Sequence, residues 1–395
     1  MDTKTLLEWS AKYHTPNYGA RAPIVLVRGD GVRVWDSEGR EYLDFGAGIA
    51  VTSLGHCHPR VTGAIQEAAA TLLHVSNLYH SAPQIHQAKL LIEHSFADRV
   101  FFSNSGAEAN EAALKLARKY ARERISSDRY EFVSTRNSFH GRTFATVAAT
   151  GQEKYHHGFE PLVPGFKHVA YNDLRAMERA IDNRTAGVII ECVQGEGGVN
   201  IGEEDYLRGL RKLCDQSGAL LIVDEIQTGV ARTGRLWCYE HYGIEPDIMT
   251  LAKALANGVP IGAMLTREEI ASVLVAGTHG STFGGTPFIT SVALATLTTI
   301  LDGKLWERAA RMGRYLMDGL RNLQAPAVKA VRGKGLLIGA ELDRPVGPVV
   351  DACREAGLLV LSAGERVLRL TPPLIVEERD CDRALGIIGA AVGRA

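Results

Sequence analysis

The run Ala219-Leu-Leu-Ile-Val-Asp224 is apolar at every position until it ends at a carboxylate. A short run of this kind predicts a strand that is buried on both faces, which is typical of the parallel sheets of α/β proteins. Such sheets bind their ligands at the carboxyl ends of the strands. We therefore expect Asp224 to lie at a ligand-binding edge.

The middle of the chain repeats this pattern. Between about residues 60 and 300, short apolar strands alternate with helical patterns, which predicts βα units wound into a mostly parallel sheet. Helices are predicted over 108–122 and 205–216, and the first has small apolar residues along one face. Strands are predicted at 100–102, 132–134, 188–191, 220–223, 248–251 and 261–265.

The two ends of the chain predict a second, smaller α+β domain. A helical pattern over 305–323 is followed by strand patterns at 336–342 and 367–370 and by a final helix. A hairpin pattern over 32–45, with a glycine in its turn, is expected to join this domain. The predicted division is 1–55 as an N-terminal segment of the small domain, 56–303 as the large cofactor-binding domain, and 304–395 as the C-terminal small domain.

Composition excludes several classes of function. Lys and Arg number 44 against 45 Asp and Glu, and this near balance gives no reason to expect nucleic acid or an anionic membrane as a partner. The six cysteines contain no Cys-x-x-Cys pair, so neither a zinc knuckle nor a disulfide framework is indicated. We find no signal peptide pattern and no apolar run of membrane-spanning length, and we expect a cytoplasmic protein.

Lys253 is the second residue on which function depends. A lysine after a strand is usually a solvated surface charge. Here the flanking Leu251-Ala252 and Ala254-Leu255 would desolvate the ammonium and lower its pKa toward the neutral amine that attacks carbonyls. A lysine and a carboxylate at one sheet edge can hold an aldehyde cofactor as an imine and keep its ring nitrogen protonated. Lys253 and Asp224 together predict a pyridoxal phosphate (PLP) enzyme.

Two small-residue segments are candidates for binding the cofactor phosphate. Ser105-Gly106-Ala107 lies where a strand ends and a helix begins, so free backbone N–H groups and the positive end of the helix dipole meet there. Taken alone, this pattern is more often an ordinary helix cap. The loop 280–286, with Ser281 and Thr282, offers further hydroxyl groups.

Two more motifs supply an aromatic ring and charged groups. Phe139 has a ring that can lie flat on a pyridine, and Arg142 has a guanidinium that can hold a carboxylate at two points. The segment 194–198 is rich in glycine but lacks the G-x-G-x-x-G spacing of a dinucleotide site. We expect a mobile backbone there that lets Glu196 swing.

Metal and hydrolase chemistry are disfavoured. The histidines, among them His56, His58 and His140, do not have the spacing of a zinc motif. The sequence contains no G-x-S-x-G motif for a serine nucleophile. We predict no metal site.

In this combination and order, the motifs resemble those of the class III, ornithine-type aminotransferases. The resemblance covers nearly the whole chain and implies an α/β protein of the PLP-dependent transferase fold type I. It also implies a homodimer whose active site lies at the subunit interface and is built from both chains. The matching positions are Tyr18, 54–59, 105–111, 139–143, 194–198, 224–227, Lys253, 279–282 and 369–372.

The resemblance also implies roles for individual residues around the cofactor. Lys253 would bind the cofactor covalently and move a proton, and Asp224 would pair with the ring nitrogen. The other implied cofactor-binding residues are Gln227 at the ring hydroxyl, Phe139 and Ile226 on the two ring faces, Ser105, Gly106 and Ala107 at the phosphate, Thr282 of the neighbouring subunit, and Glu225.

On the substrate side, the resemblance implies contacts from Tyr18, Ser281 and Arg142, with Arg142 holding the carboxylate remote from the chemistry. Arg369 would hold the α-carboxylate of glutamate, and Glu196 would mask it when a donor with one carboxylate binds. An unpaired buried guanidinium would cost several kcal/mol, so a movable glutamate is a sensible switch.

The reaction that the resemblance implies is transfer of the terminal amino group of N2-acetyl-L-ornithine to 2-oxoglutarate. Its products are N-acetyl-L-glutamate 5-semialdehyde and L-glutamate, in arginine biosynthesis. Ornithine, succinylornithine, 4-aminobutyrate and succinyldiaminopimelate stay open as donors, and so does an aminomutase reaction that needs no separate acceptor. A catalytically silent PLP-binding protein is the alternative from another class, and the presence of both Lys253 and Asp224 disfavours it.

Overall fold

The computed structural model describes residues 2–19, 21–323 and 325–394. The helices in these residues are α1 (Thr3–Tyr13), α2 (Ala47–Ala50), α3 (Pro59–Thr71), α4 (Ala82–Glu93), α5 (Gly106–Tyr120), α6 (Phe144–Ala149), α7 (Leu174–Ala180), α8 (Glu204–Ser217), α9 (Glu268–Ala271), α10 (Pro287–Asp302), α11 (Leu305–Asn322), α12 (Gly347–Glu355) and α13 (Glu378–Arg394). The strands are β1 (Leu26–Asp30), β2 (Arg33–Asp36), β3 (Glu41–Asp44), β4 (Arg99–Ser103), β5 (Glu131–Thr135), β6 (Phe166–Val169), β7 (Thr185–Ile190), β8 (Val193–Gln194), β9 (Asn200–Ile201), β10 (Leu220–Asp224), β11 (Ile248–Leu251), β12 (Gly262–Thr266), β13 (Val328–Lys334), β14 (Leu337–Leu342), β15 (Leu358–Leu359), β16 (Leu361–Ala363) and β17 (Val367–Leu370).

A seven-stranded sheet in the order β4-β12-β11-β10-β7-β5-β6 forms the centre of the protein. Six strands share one direction and β12 runs against them, which confirms the predicted mostly parallel sheet. Parallel neighbours need a crossover of a dozen or more residues, usually a helix. The link 252–261 between β11 and β12 is shorter than that, so β12 returns as an antiparallel neighbour.

The central strand β10 is buried along its whole length, as its apolar sequence predicts. Its side chains alternate between the two faces of the sheet, as they do in any strand. Leu221 and Val223 belong to one apolar cluster, and Leu220 and Ile222 belong to another. The alanines of α5 pack in the second cluster, where their small side chains bring the helix close to the sheet.

Three smaller sheets lie outside the central one in the described residues. Two have four strands each, in the orders β1-β2-β3-β15 and β13-β14-β17-β16, and the third is the pair β8-β9. The predicted hairpin of β2 and β3 is present, and β3 pairs in parallel with β15, so the two ends of the chain meet in one sheet. This pairing supports the expected link between the N-terminal segment and the C-terminal part, while the domain boundaries themselves remain a prediction.

Within the described ranges, no single helix has both the length and the apolar composition needed to cross a membrane. The pair α10 and α11 meets that test only when the two are joined, and they are bent by 69°.

Gly313 on α11 allows a close approach that an alanine would prevent. A β-carbon there would lie 2.0 Å from the backbone oxygen of Gly335. Gly313→Ala should therefore destabilise the protein by about 2 kcal/mol or more, although alanine is the better helix former. Chemical denaturation measures this change.

The matched control is Gly386→Ala in α13, where a β-carbon would meet no atom within 4 Å. This variant should gain about 0.5–1 kcal/mol in stability from helix propensity alone. Equal effects of the two substitutions would contradict the close packing of α11 on Gly335.

Candidate active site

A cavity of about 380 Å³ opens at the carboxyl edge of the central sheet. It lies where parallel sheets of this kind bind ligands. Residues at the carboxyl ends of five different strands line it. They are Ser105 after β4, Phe139 after β5, Glu191 after β7, Asp224 at the end of β10 and Lys253 after β11, and all but Glu191 were singled out from the sequence.

Lys253 begins a short 3₁₀ turn, Lys253–Ala256, with φ of +39°, in the left-handed region that side chains disfavour. Such strain persists only where surrounding structure enforces it, and it is concentrated at functional sites. Burial lowers the pKa of the Lys253 ammonium, because desolvation penalises its charge. Among the described residues, no hydrogen-bond or ion-pair partner contacts its amine. An amine in this setting is poised to be a nucleophile.

Asp224 is held by three donors. Its Oδ2 accepts hydrogen bonds from Asn110 Nδ2 and His140 Nδ1, both at 2.8 Å, and its Oδ1 accepts from the backbone N–H of Ile226 at 3.0 Å. The carboxylate is almost completely buried, so these bonds replace the water that it loses. Asp224 is thereby fixed in position while still lining the cavity.

The sequence analysis did not assign a role to Asn110. It rejected His140 as a metal ligand and gave it no other role. Asn110 also donates to the backbone oxygen of His140 at 2.8 Å and accepts from the hydroxyl of Thr250 at 2.7 Å. A bond from His140 Nδ1 to a carboxylate requires the proton on Nδ1. This network connects α5, the 137–143 loop and β11 to the single carboxylate of Asp224.

Phe139 and Ile226 provide two apolar walls of the cavity. The Phe139 N–H donates to Glu191 Oε2 at 3.0 Å, and its ring packs edge-on against Tyr155 with centroids 5.7 Å apart. Ile226 packs on Gly106, where a β-carbon would lie 2.8 Å from the Ile226 Cδ1 atom. Only glycine at position 106 leaves Ile226 in this place.

Glu191 is a second buried carboxyl at the cavity that the analysis of the sequence did not assign. Burial, together with the nearby charge of Asp224, raises the pKa of Glu191 well above its ordinary value. This environment favours the neutral form of the Glu191 carboxyl over the charged form. Because Glu191 ends an apolar strand as Asp224 does, the same sequence signal could have identified it.

Ser105, Gly106 and Ala107 form the start of α5 at the cavity wall. The Ser105 side chain caps the helix by accepting from the Glu108 N–H at 3.2 Å. Within the described chain, the N–H groups of Gly106 and Ala107 have no acceptor. The first turn of a helix with such free donors is an anion site.

The cation of Arg369 lies behind Glu196 as seen from the cavity. Arg369 Nη1 donates to Glu196 Oε1 at 2.6 Å and to Gln227 Oε1 at 3.1 Å, and Gln227 Nε2 donates to Glu196 Oε1 at 3.2 Å. Glu196 and Gln227 line the cavity, whereas Arg369 does not. Burial alone would raise the pKa of Glu196, but the charge of Arg369 lowers it below its ordinary value. Glu196 is thus an anion that screens Arg369.

The glycines beside Glu196 have a different function from the one we expected. A β-carbon on Gly195 would lie 2.2 Å from Gln227 Oε1, and one on Gly197 would lie 2.2 Å from the backbone oxygen of Asn137. Both glycines therefore serve close packing rather than backbone mobility. Movement of Glu196 has to come from rotation of its side chain.

Arg142 lies at the other side of the cavity, with its guanidinium 3.9 Å from the centre of the Tyr155 ring. Its side chain is exposed, and no carboxylate of the described residues pairs with it. Arginine on an aromatic face keeps its donors available for a bidentate partner. Arg142 is thus an open cation, that is, one available to a ligand in the cavity, whereas Arg369 is screened by Glu196.

Besides Arg369, four other predicted site residues do not line this cavity. The Glu225 carboxylate accepts hydrogen bonds from the Tyr239 N–H and the Thr228 hydroxyl, both at 2.8 Å. Ser281 accepts from Asn104 Nδ2 at 3.1 Å, Thr282 is exposed, and Tyr18 is 76% exposed. The single chain therefore does not bring Ser281, Thr282 or Tyr18 into the site.

The residues present fit pyridoxal phosphate. The chemistry of the donors matches its parts: an unpartnered amine for the aldehyde, a buried carboxylate for the ring nitrogen, and free N–H groups at a helix start for the phosphate. Between these groups, Phe139 and Ile226 leave a gap with apolar walls for a flat ring.

Glu225→Gln should change how stability depends on pH. Burial raises the pKa of the Glu225 carboxyl to about 7, above its ordinary 4.5. Because the folded state binds the proton more tightly, the stabilisation from this group is complete below pH 4.5 and is lost as pH rises through about 7. The difference in melting temperature, wild type minus Glu225→Gln, should decrease as pH rises from 4.5 through about 7. At higher pH the decrease should become less steep.

The control is Glu268→Gln, because Glu268 is an exposed partner of Arg99 at the other end of β4. Its melting profile should run parallel to that of the wild type. A Glu225→Gln profile that is also parallel would contradict the raised pKa.

Comparisons with known proteins agree with this geometry. The family model for class III aminotransferases matches residues 15–392. An acetylornithine aminotransferase from Caldanaerobacter subterraneus subsp. tengcongensis is 49% identical over 97% of this chain and 98% of its own length. One from Methanocaldococcus jannaschii is 48% identical over 98% of each chain.

Solved structures extend the match to the fold. The ornithine aminotransferase of Toxoplasma gondii superposes with a TM-score of 0.96 at 37% identity, covering 100% of this chain and 96% of that one. The acetylornithine aminotransferase of Elizabethkingia anophelis gives a TM-score of 0.90 at 32% identity, covering both chains fully. The predicted PLP-dependent transferase fold type I is confirmed. The chain therefore belongs to the class III aminotransferases, which are PLP-dependent transaminases.

Proposed function

We propose that this chain transfers the terminal amino group of N2-acetyl-L-ornithine to 2-oxoglutarate, giving N-acetyl-L-glutamate 5-semialdehyde and L-glutamate in arginine biosynthesis. The observation that carries the proposal is the contrast between two arginines. Arg142 is open at the cavity, while Arg369 is screened by Glu196 at 2.6 Å. This arrangement offers one cation to a donor that has one carboxylate. Relatives 48–49% identical over nearly the whole chain carry the name of this activity.

Pyridoxal phosphate, when bound, supplies an electrophilic aldehyde and a ring that takes up the electron pair of a substrate C–H bond. Lys253 would provide the amine that holds the aldehyde. The same amine would move the proton from the terminal carbon of the donor. Its lowered pKa serves this step, because a neutral amine accepts a proton and an ammonium does not.

Asp224 would pair with the protonated ring nitrogen, and its three donors hold its carboxylate in place. Phe139 and Ile226 would contact the ring and exclude water from it. Gly106 and Ala107 would bind the phosphate through backbone N–H groups, with Ser105 capping the same helix turn. Together these contacts would hold the cofactor beside Lys253.

Gln227 and Glu225 have more indirect roles than the resemblance implied. The amide of Gln227 already hydrogen-bonds Glu196 and Arg369. A contact between Gln227 and the ring hydroxyl would therefore use an amide that this pair also engages. The Glu225 side chain braces the segment after β10 against Tyr239 and Thr228. We assign Glu225 as a positioning residue.

The acceptor half of the reaction needs a second cation. Glutamate and 2-oxoglutarate have two carboxylates, and we propose that Arg142 binds the remote one and Arg369 the α-carboxylate. Arg369 Nε is buried without a partner in the described chain, so it is a donor available for this purpose. Rotation of the Glu196 side chain would open the way to it.

We propose that the enzyme is a cytoplasmic homodimer whose active sites include residues of both subunits. Ser281, Thr282 and Tyr18 lie outside the cavity of their own chain, where they are available to complete that of a second copy. The exposed apolar side chains of this chain, which include Leu72, Leu78 and Phe283, support burial against a partner. The six cysteines are unpaired, which supports a reducing compartment.

Ornithine is the second candidate donor, because an ornithine aminotransferase is among the structures most similar in fold. A panel of N2-acetylornithine, ornithine, succinylornithine, 4-aminobutyrate and succinyldiaminopimelate, each with 2-oxoglutarate, separates these candidates. We expect the highest kcat/KM for N2-acetylornithine. A preference of tenfold or more for another donor would overturn the assignment.

Lys253→Ala should reduce turnover by at least about 10⁴-fold, because it removes both the attaching amine and the proton carrier. Borohydride trapping followed by mass spectrometry should locate the cofactor adduct on residue 253 of the wild type and find none in the variant. An adduct on another lysine would contradict the role of Lys253.

Glu196→Ala should slow the half-reaction with the terminal amine donor by about tenfold or more and leave the glutamate half-reaction much less affected. The reason is that Arg369 would then be unpaired when a donor with one carboxylate binds. Stopped-flow absorbance measures the two half-reactions separately. The control Glu268→Ala removes a surface carboxylate from an arginine outside the site. Equal losses in both half-reactions would count against the screening role.

A further inference from the structure

Arg232 is a completely buried arginine that the reaction does not use. No carboxylate among the described residues pairs with it. Its Nη1 donates to the backbone oxygens of Leu336, at 3.2 Å, and Pro372, and its Nη2 donates to the hydroxyl of Ser53 at 3.0 Å. One guanidinium therefore bonds to three separate parts of the chain.

A side chain of this kind is costly to bury. Desolvation lowers the pKa of the Arg232 guanidinium to about 9, so it is still charged at neutral pH. Its Nε is buried and has no acceptor in the described chain. A buried charge without a counter-ion is poor evidence for a stabilising role, and apolar residues of similar volume often replace buried ions without loss of stability. The conformation that Arg232 imposes is the alternative reason for its presence.

Two of the three parts bonded by Arg232, and Arg232 itself, lie close in sequence to residues at the cavity. Ser53 lies two residues after Val51, which lines the cavity. Pro372 lies three residues after Arg369, and Arg232 itself lies five residues after Gln227. These three segments come from distant parts of the sequence, so a common anchor has to be a tertiary contact.

Backbone contacts support the same junction. Thr371 N–H donates to the Phe45 oxygen at 2.7 Å, and Leu374 N–H donates to the Ser53 oxygen at 2.7 Å. Leu336 N–H donates to the oxygen of Arg232 at 2.9 Å. The 371–374 segment thus runs along the N-terminal segment, and Arg232 is placed where the two meet the segment after β10.

We propose that Arg232 is a positioning residue that holds Arg369 and Val51 in register with the 224–227 segment, and thereby sets how a substrate α-carboxylate is bound. The inference rests on the proposed role of Arg369 in the acceptor half-reaction. It predicts an effect on glutamate and 2-oxoglutarate in particular. Arg142, which binds the remote carboxylate, has no contact with Arg232 or its three partners in the described structure.

The test compares Arg232→Met and Arg232→Lys with Arg308→Met. Arg308 is the matched control because its guanidinium also donates to two backbone oxygens, those of Ile375 and Val376, in the same C-terminal stretch. Its substitution removes similar bonds without touching the segments at the cavity. PLP-loaded proteins are used throughout.

Arg232→Met should raise KM for 2-oxoglutarate, and the half-saturating glutamate concentration, at least tenfold. KM for the amine donor should change less than threefold. Arg232→Lys keeps a positive charge but lacks the planar, forked donors of the guanidinium. Its KM for 2-oxoglutarate should therefore lie between those of the wild type and Arg232→Met. Arg308→Met should lower the melting temperature by a similar amount and leave every KM within twofold of the wild type.

Hydrogen exchange of the PLP-loaded protein gives a second readout that does not need turnover. Peptides that cover 50–55 and 369–374 should exchange faster in Arg232→Met and not in Arg308→Met. The Lys variant keeps the test decisive if the Met variant does not fold. Unchanged exchange of these two peptides in the Arg232 variants would overturn the proposal. Equal changes in KM for the donor and the acceptor would also overturn it. A wild type that fails to react with glutamate would instead refute the proposed function, since that half-reaction does not depend on the donor.

Discussion

The site depends on a carboxylate that is held in place before any ligand arrives. Asp224 accepts bonds from Asn110, His140 and the Ile226 backbone, which are carried by a helix, a loop and its own turn. A buried carboxylate without such donors would be neutralised or displaced. With them, the Asp224 carboxylate keeps its place in the cavity that Lys253 also lines. At this edge of the sheet, the carboxylate of Asp224 and the amine of Lys253 are both available to the cofactor.

Electrostatics divides the site into two regions. Near the ring site, Asp224 accepts hydrogen bonds from three donors, while burial and the charge of Asp224 raise the pKa of Glu191 and favour its neutral form. Near the substrate, Glu196 neutralises Arg369 and leaves Arg142 open. The cavity therefore presents a carboxylate held by three donors, a carboxylate paired with a buried arginine, and one arginine that no carboxylate of the described residues pairs with.

Much of the fold and of the cofactor site could be predicted from the sequence, because these residues follow apolar strands at one edge. Lys253, Asp224, Phe139 and Gly106 were all found in this way. The direction of β12 was not predicted, since strand patterns do not show orientation and only the short preceding link indicates it. The domain boundaries and the roles of site residues remain predictions that await experiment.

What sequence patterns could not show were partners distant along the chain. Asn110 lies on a helix face of alanines, and only the fold shows that its amide meets a carboxylate 114 positions away. Arg232 has no local signature at all, because its partners are two backbone oxygens and one hydroxyl. Glu196 was found, but the packing reason for its neighbouring glycines needed coordinates.

The antiparallel course of β12 has a consequence for redesign of the enzyme. The link 252–261 carries Lys253 at its beginning and forms a cavity wall with Val259, Pro260 and Ile261 at its end, and both ends are anchored in adjacent strands. Exchanging side chains at that far end would reshape the space for a bulkier acyl group. Lys253 and Asp224 would stay in place. A library of variants at the far end of the link could therefore change the range of donors without changing the residues that serve the cofactor.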